Sequence, residues 1–197
     1  MRRRVVFLGD SFVQGVGDPE HRGWAGRVLQ AAGGDVTGFN LGVRRNTSDD
    51  VLRRCWPEVD ARVVPDEDNR IVVSFGSNDM VAENGAVRVA AERCAANLAS
   101  LLDGSAHRGI PVLVVGPPPV ADAGEAHLRR TARLAAVMAE LCAARNVPFV
   151  ATTEALAADP VWTSEALAGD GAHPGAGGYQ RLAELVLAGA WPGWLGG

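Results

Sequence analysis

The first informative stretch of the chain is Val5-Val6-Phe7-Leu8-Gly9-Asp10-Ser11, in which four consecutive apolar residues end at a glycine and two polar residues. A strand that is apolar at every position must be buried on both faces, as strands are in a parallel sheet covered by helices. Similar apolar runs follow at 36–40, 70–75, 112–115 and 147–151. These runs predict a central parallel sheet of about five strands.

Between these runs the chain has the period of buried helices, with apolar residues three or four positions apart. The clearest set is Val87, Ala91, Cys94, Leu98 and Leu101. Gly104 should end this helix, because glycine is common at helix C-termini, and the last helix should cover roughly 178–190. Strands that alternate with helices predict a three-layer α/β/α fold with right-handed crossovers, in a single domain over residues 1–197.

Composition excludes several classes of function. All 19 basic residues are arginine, so no lysine can form a Schiff base or hold a nucleotide phosphate. The net charge of −4 is unlike that of a nucleic-acid-binding protein, and no stretch reaches the roughly 18 apolar residues of a membrane helix. The apolar run after Arg2-Arg3-Arg4 is too short for a signal peptide. Three widely spaced cysteines suit a reducing compartment. We therefore expect a cytoplasmic protein with no nucleic-acid partner and no membrane span.

Polar side chains follow the predicted strands at three places. Ser11 comes directly after the first strand, and Asn78 follows the third. Asp170 and His173 lie just before the last helix. Because the carboxyl ends of parallel strands meet at one edge of the sheet, where such folds bind ligands, we expect these four side chains to lie close together.

Together the four side chains supply the groups that nucleophilic catalysis needs. A serine hydroxyl requires a base to take its proton, and the imidazole of His173 can do so near neutral pH. Asp170, three residues earlier, can hold the other ring nitrogen and fix the tautomer. The amide group of Asn78 can donate to an oxyanion. Taken one at a time, each of these short motifs also suits an ordinary turn or helix cap.

The polar blocks, in their order and spacing, resemble those of the SGNH (GDSL) hydrolases. They are Gly9-Asp10-Ser11, 40–47, Gly76-Ser77-Asn78-Asp79 and Asp170-Gly171-Ala172-His173-Pro174, and the resemblance extends from residue 5 to about residue 190. It implies a flavodoxin-like fold and a serine esterase or lipase that uses no cofactor and no metal. It also implies that Ser11 is the nucleophile, His173 the base and Asp170 its partner. The amide of Asn78 and the backbone N–H of Ser11 would then form part of the oxyanion hole.

One block departs from the family pattern. The family usually has a glycine just before an Asp/Asn-Thr pair, and its backbone N–H completes the oxyanion hole. In this chain Arg45 stands at that position, before Asn46-Thr47. The backbone amide survives this substitution, so Arg45 can donate if it adopts the conformation that glycine would have. Gly42 is the alternative donor, and the Arg45 guanidinium could also bind an anionic substrate.

The sequence says less about the substrate. Trp162 is the best candidate for the wall of an acyl pocket, because it precedes the loop with Asp170 and His173, although core packing is the alternative interpretation. Residues 117–130 could cover the site or simply connect two elements. We expect hydrolysis of a small ester or thioester with an acetyl, short acyl or lysophospholipid group. The alternatives are acyl transfer to a sugar or alcohol, and a non-catalytic ligand-binding domain; no motif indicates the oligomeric state.

Overall fold

A computed structural model of the chain describes residues 2–196. In chain order its elements are β1 (Arg3–Gly9), α1 (Ser11–Gln14), α2 (Gly23–Ala32), β2 (Val36–Gly42), α3 (Ser48–Asp60), β3 (Asp68–Ser74), β4 (Ala82–Glu83), β5 (Ala86–Val87), α4 (Ala91–His107), β6 (Val112–Val115), α5 (Gly124–Ala143), β7 (Phe149–Val150), α6 (Thr153–Ala157), α7 (Pro160–Ala168), α8 (Ala176–Ala188) and α9 (Trp191–Gly196). Among residues 2–196, no helix combines the length and the hydrophobicity that a bilayer crossing requires.

Five of the strands form one parallel sheet in the order β2-β1-β3-β6-β7. The chain leaves β1 for β2 on one side and then crosses back to β3 on the other, so the strand order reverses between β1 and β3. In doubly wound sheets such a switch point opens a crevice at the carboxyl ends of the strands. The parallel five-stranded sheet and the flavodoxin-like strand order confirm the predicted fold. β4 and β5 form a separate antiparallel hairpin.

The two faces of the sheet carry two apolar cores, because successive residues of a strand point to opposite faces. Val5 and Phe7 of β1 pack in one core, whereas Val6 and Leu8 pack in the other. Residues of α2 and α8 cover the first face, including Trp24, Val28, Tyr179 and Leu182. Residues of α3, α4 and α5 cover the second, including Val51, Cys55, Leu98, Leu101, Leu134 and Met138. Packing on both faces fixes the end of β1, from which the first polar block follows.

The structure corrects three local predictions. α4 continues past Gly104 to His107. Gly104 lies inside the helix, where the ring of Trp56 packs against it and would collide with a Cβ. The last long helix is α8, which ends at Ala188, and a separate short helix follows it. The second half of the stretch 117–130 belongs to α5, so the connection after β6 is shorter than the sequence indicates.

Candidate active site

Ser11 lies at the first position of α1, directly beyond the end of β1. Gly9 is required there, because a Cβ at this position would collide with the backbone of Ser74 in β3. The carboxylate of Asp10 caps α1 and accepts the N–H of Phe12 at 2.9 Å. The Ser11 side chain is therefore held by backbone geometry at the switch point, and the residue is only 3% exposed.

Three of the predicted site residues form one chain of hydrogen bonds. His173 Nε2 lies 2.7 Å from Ser11 Oγ, and His173 Nδ1 lies 2.8 Å from Asp170 Oδ2. Since an ionised carboxylate can only accept, Nδ1 carries the ring proton and Nε2 of the neutral ring accepts from the Ser11 hydroxyl. This polarity allows a proton to pass from Ser11 to His173.

Asp170 is built to remain ionised. Burial by itself would raise its pKa, but hydrogen bonds from the backbone and ring of His173 and from the backbone of Ala172 outweigh burial and lower the pKa to about 2. The two backbone N–H groups donate to Oδ1 at 2.9 and 3.1 Å. A further partner is Arg44, whose Nη2 lies 3.2 Å from Oδ2 of the same carboxylate at the surface. No sequence signal pointed to Arg44, which reaches Asp170 from the loop after β2.

The loop that carries His173 packs against the loop that follows α1. Gly17, with a φ of +90°, allows this approach, because a Cβ there would crowd the backbone of Pro174 and the side chain of His173. The hydroxyl of Tyr179 donates to the carbonyl of Val16 at 2.7 Å and links α8 to the same loop. Sequence reasoning missed these supports, since they depend on which two loops meet in space.

Asn78 follows β3, and its side chain contacts the residues that follow β1 and β2 at the same crevice. Its Nδ2 donates to the carbonyl of Asn46 at 3.0 Å and makes a longer contact of 3.4 Å with Asp10 Oδ2. One of its two amide hydrogens is therefore held by the loop after β2, and the other is only weakly engaged. The structure places Asn78 at the edge of the sheet that carries Ser11, where the carboxyl ends of β1 and β3 meet.

One backbone N–H between the end of β2 and the start of α3 is not used. The N–H groups of Gly42, Val43 and Arg44 donate to Asn40 Oδ1, to the Gly9 carbonyl and to Gln14 Oε1, at distances between 2.9 and 3.1 Å. The N–H of Arg45 has no acceptor among residues 2–196. Arg45 has a φ of +69°, the left-handed conformation that favours glycine.

The Arg45 side chain lies at the surface. It is 74% exposed, and its Nη2 is 3.7 Å from Glu83 Oε1 on the β4–β5 hairpin. The backbone of Arg45 thus has the conformation of the expected glycine, while its guanidinium has one distant acidic neighbour.

Two buried aspartates, Asp10 and Asp79, hold the backbone around the site by accepting hydrogen bonds. Burial raises the pKa of Asp10 to about 7, the Phe12 N–H opposes this rise, and the charge of Asp79 adds to it. Burial also raises the pKa of Asp79, although hydrogen bonds from the hydroxyl and backbone N–H of Ser48 oppose that rise. Asp79 therefore ties the strand end that carries Asn78 to the start of α3.

Trp162 is fully buried, and the ring of Phe12 lies between it and His173. It stacks on Phe12, with ring centroids 5.7 Å apart, and Phe12 in turn lies 5.0 Å from the ring of His173. Its Nε1 donates to the Pro119 carbonyl at 3.2 Å. Trp162 also lines a cavity of about 280 Å³ together with Pro119, Val120, Ala121, Gly124, Glu125, Leu128, Ala157 and Thr163.

In the part of the chain that the structure describes, no group of three or more His, Cys, Asp and Glu side chains is arranged to hold a metal ion.

Comparisons with known proteins agree with this geometry. Residues 7–181 match the model of the GDSL-like Lipase/Acylhydrolase family. The crystal structure of a lipase/acylhydrolase from Enterococcus faecalis superposes with a TM-score of 0.73 at 26% identity, over 95% of this chain and 94% of that one. The acetylxylan esterase Axe2 from Geobacillus stearothermophilus shares the fold, with a TM-score of 0.74 at 20% identity over 94% of this chain and 92% of that one.

A curated relative is similar over a shorter stretch. The uncharacterized protein YpmR of Bacillus subtilis (strain 168) is 30% identical over 82 residues, which are 39% of this chain and 32% of that protein. The match therefore spans about a third of the length of that relative.

Proposed function

The chain belongs to the GDSL-like lipase/acylhydrolase family of carboxylic ester hydrolases, and on that premise we propose that it hydrolyses a small carboxylic ester through an acyl-enzyme intermediate on Ser11. The observation that carries this proposal is the pair of hydrogen bonds from Ser11 to His173 and from His173 to Asp170, at 2.7 and 2.8 Å. Both lie at the switch point of the sheet, where doubly wound folds bind ligands.

In the proposed first step, Ser11 Oγ attacks the acyl carbonyl while its proton moves to His173 Nε2. Asp170 remains ionised, since its pKa is about 2, and stabilises the imidazolium that forms. The imidazolium then protonates the leaving alcohol, which departs and leaves the acyl group esterified to Ser11. In the second step His173 takes a proton from water, the resulting nucleophile releases the acid, and Ser11 recovers its hydroxyl hydrogen.

The oxyanion of each tetrahedral intermediate would be bound by Asn78 Nδ2 and by the backbone N–H groups of Ser11 and Arg45. The weakly engaged second hydrogen of Asn78 supports its part in this role. The unused N–H and positive φ of Arg45 support Arg45 over Gly42, whose N–H already donates to Asn40. Fixed donors of this kind contribute about 10²–10³ each to turnover in acyl transfer.

The proposed substrate is a small molecule with a short acyl group, and Trp162 would form part of the wall of its acyl pocket. The stacking of Trp162 on Phe12, whose ring lies 5.0 Å from that of His173, supports this place for Trp162. An acetyl ester of a carbohydrate is one candidate, because Axe2, which shares the fold, is an acetylxylan esterase. The Arg45 guanidinium remains a substrate-binding candidate for an anionic ester. We also propose a cytoplasmic location, which the three buried and unpaired cysteines support.

Transfer to a sugar or alcohol is the alternative reaction, and it requires that water be kept from the acyl-enzyme on Ser11. The linked side chains of Ser11, His173 and Asp170 favour catalysis over simple ligand binding. Supplying an alcohol acceptor during turnover and measuring ester formation against acid release separates hydrolysis from transfer.

The test is the turnover of p-nitrophenyl esters from acetyl to dodecanoyl, by the wild-type chain and by Ser11→Ala. We expect activity with the shortest esters and a loss of at least about 10³-fold in Ser11→Ala. Ser100→Ala, at an exposed position on α4, is the matched control and should keep wild-type turnover. Equal turnover by Ser11→Ala and the wild-type chain would refute Ser11 as the nucleophile.

A further inference from the structure

The connection between β6 and α5 begins with a segment that other parts of the chain hold in place. Gly116 is followed by three prolines at 117–119, and proline has no N–H and a φ fixed at about −65°. Residues 116–119 are buried, so their carbonyls need hydrogen-bond donors from elsewhere in the chain. Side chains supply all four: Thr152, Thr153, Ser77 and Trp162 donate to the carbonyls of Gly116, Pro117, Pro118 and Pro119 at 2.8, 2.7, 2.6 and 3.2 Å.

The same connection then reaches the loop that carries Asp170. The N–H of Asp122 donates to the carbonyl of Gly171 at 2.9 Å. Gly171 has a φ of +81°, and a Cβ on it would collide with the side chain of Asp122. Glycine therefore allows the two loops to approach this closely. Since Asp122 follows soon after the proline segment, that segment fixes where its N–H lies.

The Gly171 carbonyl belongs to the peptide that supports the Asp170 carboxylate. In a planar trans peptide, the C=O of one residue and the N–H of the next point in opposite directions. The N–H that shares this plane with the Gly171 carbonyl is that of Ala172, which donates to Asp170 Oδ1 at 3.1 Å. Rotation of the Gly171–Ala172 peptide would therefore break the bond from Asp122 and the bond to Asp170 together.

This peptide needs an outside contact to stay in one orientation. Glycine allows a wider range of backbone angles than any other residue, so Gly171 by itself restricts the following peptide little. The preceding peptide is held separately, because the N–H of Gly171 donates to the Ala166 carbonyl at 2.9 Å. Among residues 2–196, the N–H of Asp122 is the one donor to the Gly171 carbonyl.

The orientation of the Gly171–Ala172 peptide matters for the pairing of Asp170 with His173. Asp170 Oδ1 accepts the N–H groups of Ala172 and His173, and this leaves Oδ2 directed at His173 Nδ1, 2.8 Å away. The Asp170 side chain is 40% exposed, so water competes for its oxygens once a backbone donor is lost. The alignment of the carboxylate with the imidazole therefore depends on a peptide that Asp122 holds.

We propose that Asp122 is a positioning residue that acts through its backbone N–H. This N–H locks the Gly171–Ala172 peptide, and the locked peptide holds Asp170 in line with His173. The proline segment and its four side-chain donors fix the N–H in turn. This inference rests on the proposed function, in which Asp170 orients and stabilises the ring of His173.

The test measures kcat and KM for p-nitrophenyl acetate in variants that keep or remove this N–H. Asp122→Ala keeps the N–H and is the reference. Lactic acid in place of the alanine of Asp122→Ala, introduced by nonsense suppression, replaces only the N–H by an ester oxygen. It should lower kcat about fivefold relative to the reference, with little change in KM, because the alignment of Asp170 acts in the transition state. Asp122→Pro also directs a ring carbon at the Gly171 carbonyl and should lower kcat at least about tenfold.

The decisive comparison is between backgrounds. Asp170→Ala has no carboxylate to position, and enzymes that lose one member of a triad keep a measurable residual activity. In this background, the lactic acid substitution should change the residual kcat by less than about twofold. Glu140→Ala, at an exposed position on α5, is the control for loss of a surface acid and should leave kcat unchanged.

Two results would overturn the inference. One is equal kcat for Asp122→Ala and its lactic acid counterpart. The other is an equal loss in both backgrounds, which would indicate a general distortion of the loop. Both differ from failure of the proposed function, which would appear as activity retained in Ser11→Ala. Thermal melting of each variant separates a loss of folding from a loss of kcat, and the lactic acid comparison decides alone if Asp122→Pro does not fold.

Discussion

The two loops that supply the candidate site are held in different ways. Beyond β1, Ser11 is 3% exposed at the start of α1, and its position is fixed by core packing and by Gly9, where a Cβ would collide with the backbone of Ser74. After β2, Arg45 has a positive φ although it carries a Cβ, and its contacts with Arg88 and Glu83 lie at the surface. The nucleophile is thus held by the core, whereas one proposed oxyanion donor lies in a turn at the surface.

This difference has an energetic consequence. Breaking a buried hydrogen bond leaves an unsatisfied polar group and costs about 1–3 kcal/mol, whereas an exposed ion pair contributes about 0–1 kcal/mol. Salt, temperature and surface mutation should therefore affect the turn at Arg45 before they affect the position of Ser11. The predictions below compare the buried part of the site with its exposed part.

The largest expected effect is that of Asp170→Asn. The asparagine amide can present an N–H to His173 Nδ1, which would place the ring proton on Nε2 and remove the acceptor for Ser11. We expect kcat to fall by about 10⁴ with the fold intact, as measured with p-nitrophenyl acetate and circular dichroism. Asp103→Asn, at an exposed position on α4, is the control. A loss below about tenfold would mean that Asp170 does not set the tautomer.

Asn78→Ala should have the next largest effect. It removes the side-chain donor of the proposed oxyanion hole, so kcat should fall by about 10²–10³ while KM changes little. It also removes the bond to the Asn46 carbonyl, so a melting curve is needed to separate local disorder from lost transition-state stabilisation. A rise in KM at constant kcat would instead assign Asn78 to substrate binding.

Asp10→Asn tests the buried side of the comparison through the free energy of unfolding. The pKa of Asp10 is raised from 3.8 to about 7, so between these values the unfolded chain releases a proton that the folded chain retains. The wild-type chain therefore loses stability through this group as the pH rises from 4 to 7. The variant lacks this loss. Its free energy of unfolding, relative to that of the wild type, should therefore rise by roughly 1–3 kcal/mol across that range.

Urea denaturation at about pH 4.5 and about pH 7.5 measures this gain. Asp35→Asn, at an exposed position, is the control variant. An identical pH dependence of stability in wild type and Asp10→Asn would show that Asp10 is already ionised in the folded chain.

The sheet could be predicted, and candidate site residues could be named, because their sequence signals are local. A run of four apolar residues before Gly9-Asp10-Ser11 specifies a buried strand followed by a tight turn, and both features are encoded by adjacent residues. The strand order then brings Asn78 to the same edge. The exact end of α4 could not be predicted at Gly104, because the reason for that glycine is the ring of Trp56 on another helix.

The supports of the site could not be predicted for a related reason. Arg44 and Arg88 reach Asp170 and Arg45 from loops that are 126 and 43 residues away in sequence. Long, flexible side chains have no fixed spacing to their partners, so no motif reveals such contacts. The positive φ of Arg45 is likewise invisible in a sequence that has arginine where the pattern has glycine.

The smallest expected effect is that of Arg44→Gln, which removes the exposed partner of the same oxygen that His173 contacts. Both partners lie within 3.2 Å of Asp170 Oδ2, but the Arg44 side chain is 56% exposed whereas that of His173 is 7% exposed. Because water screens the exposed pair, kcat should change by less than about threefold at low salt and by less at high salt. A loss comparable to that of Asp170→Asn would contradict the distinction between buried and exposed supports. It would mean that an arginine at the rim fixes the carboxylate as firmly as the backbone N–H groups of Ala172 and His173 do.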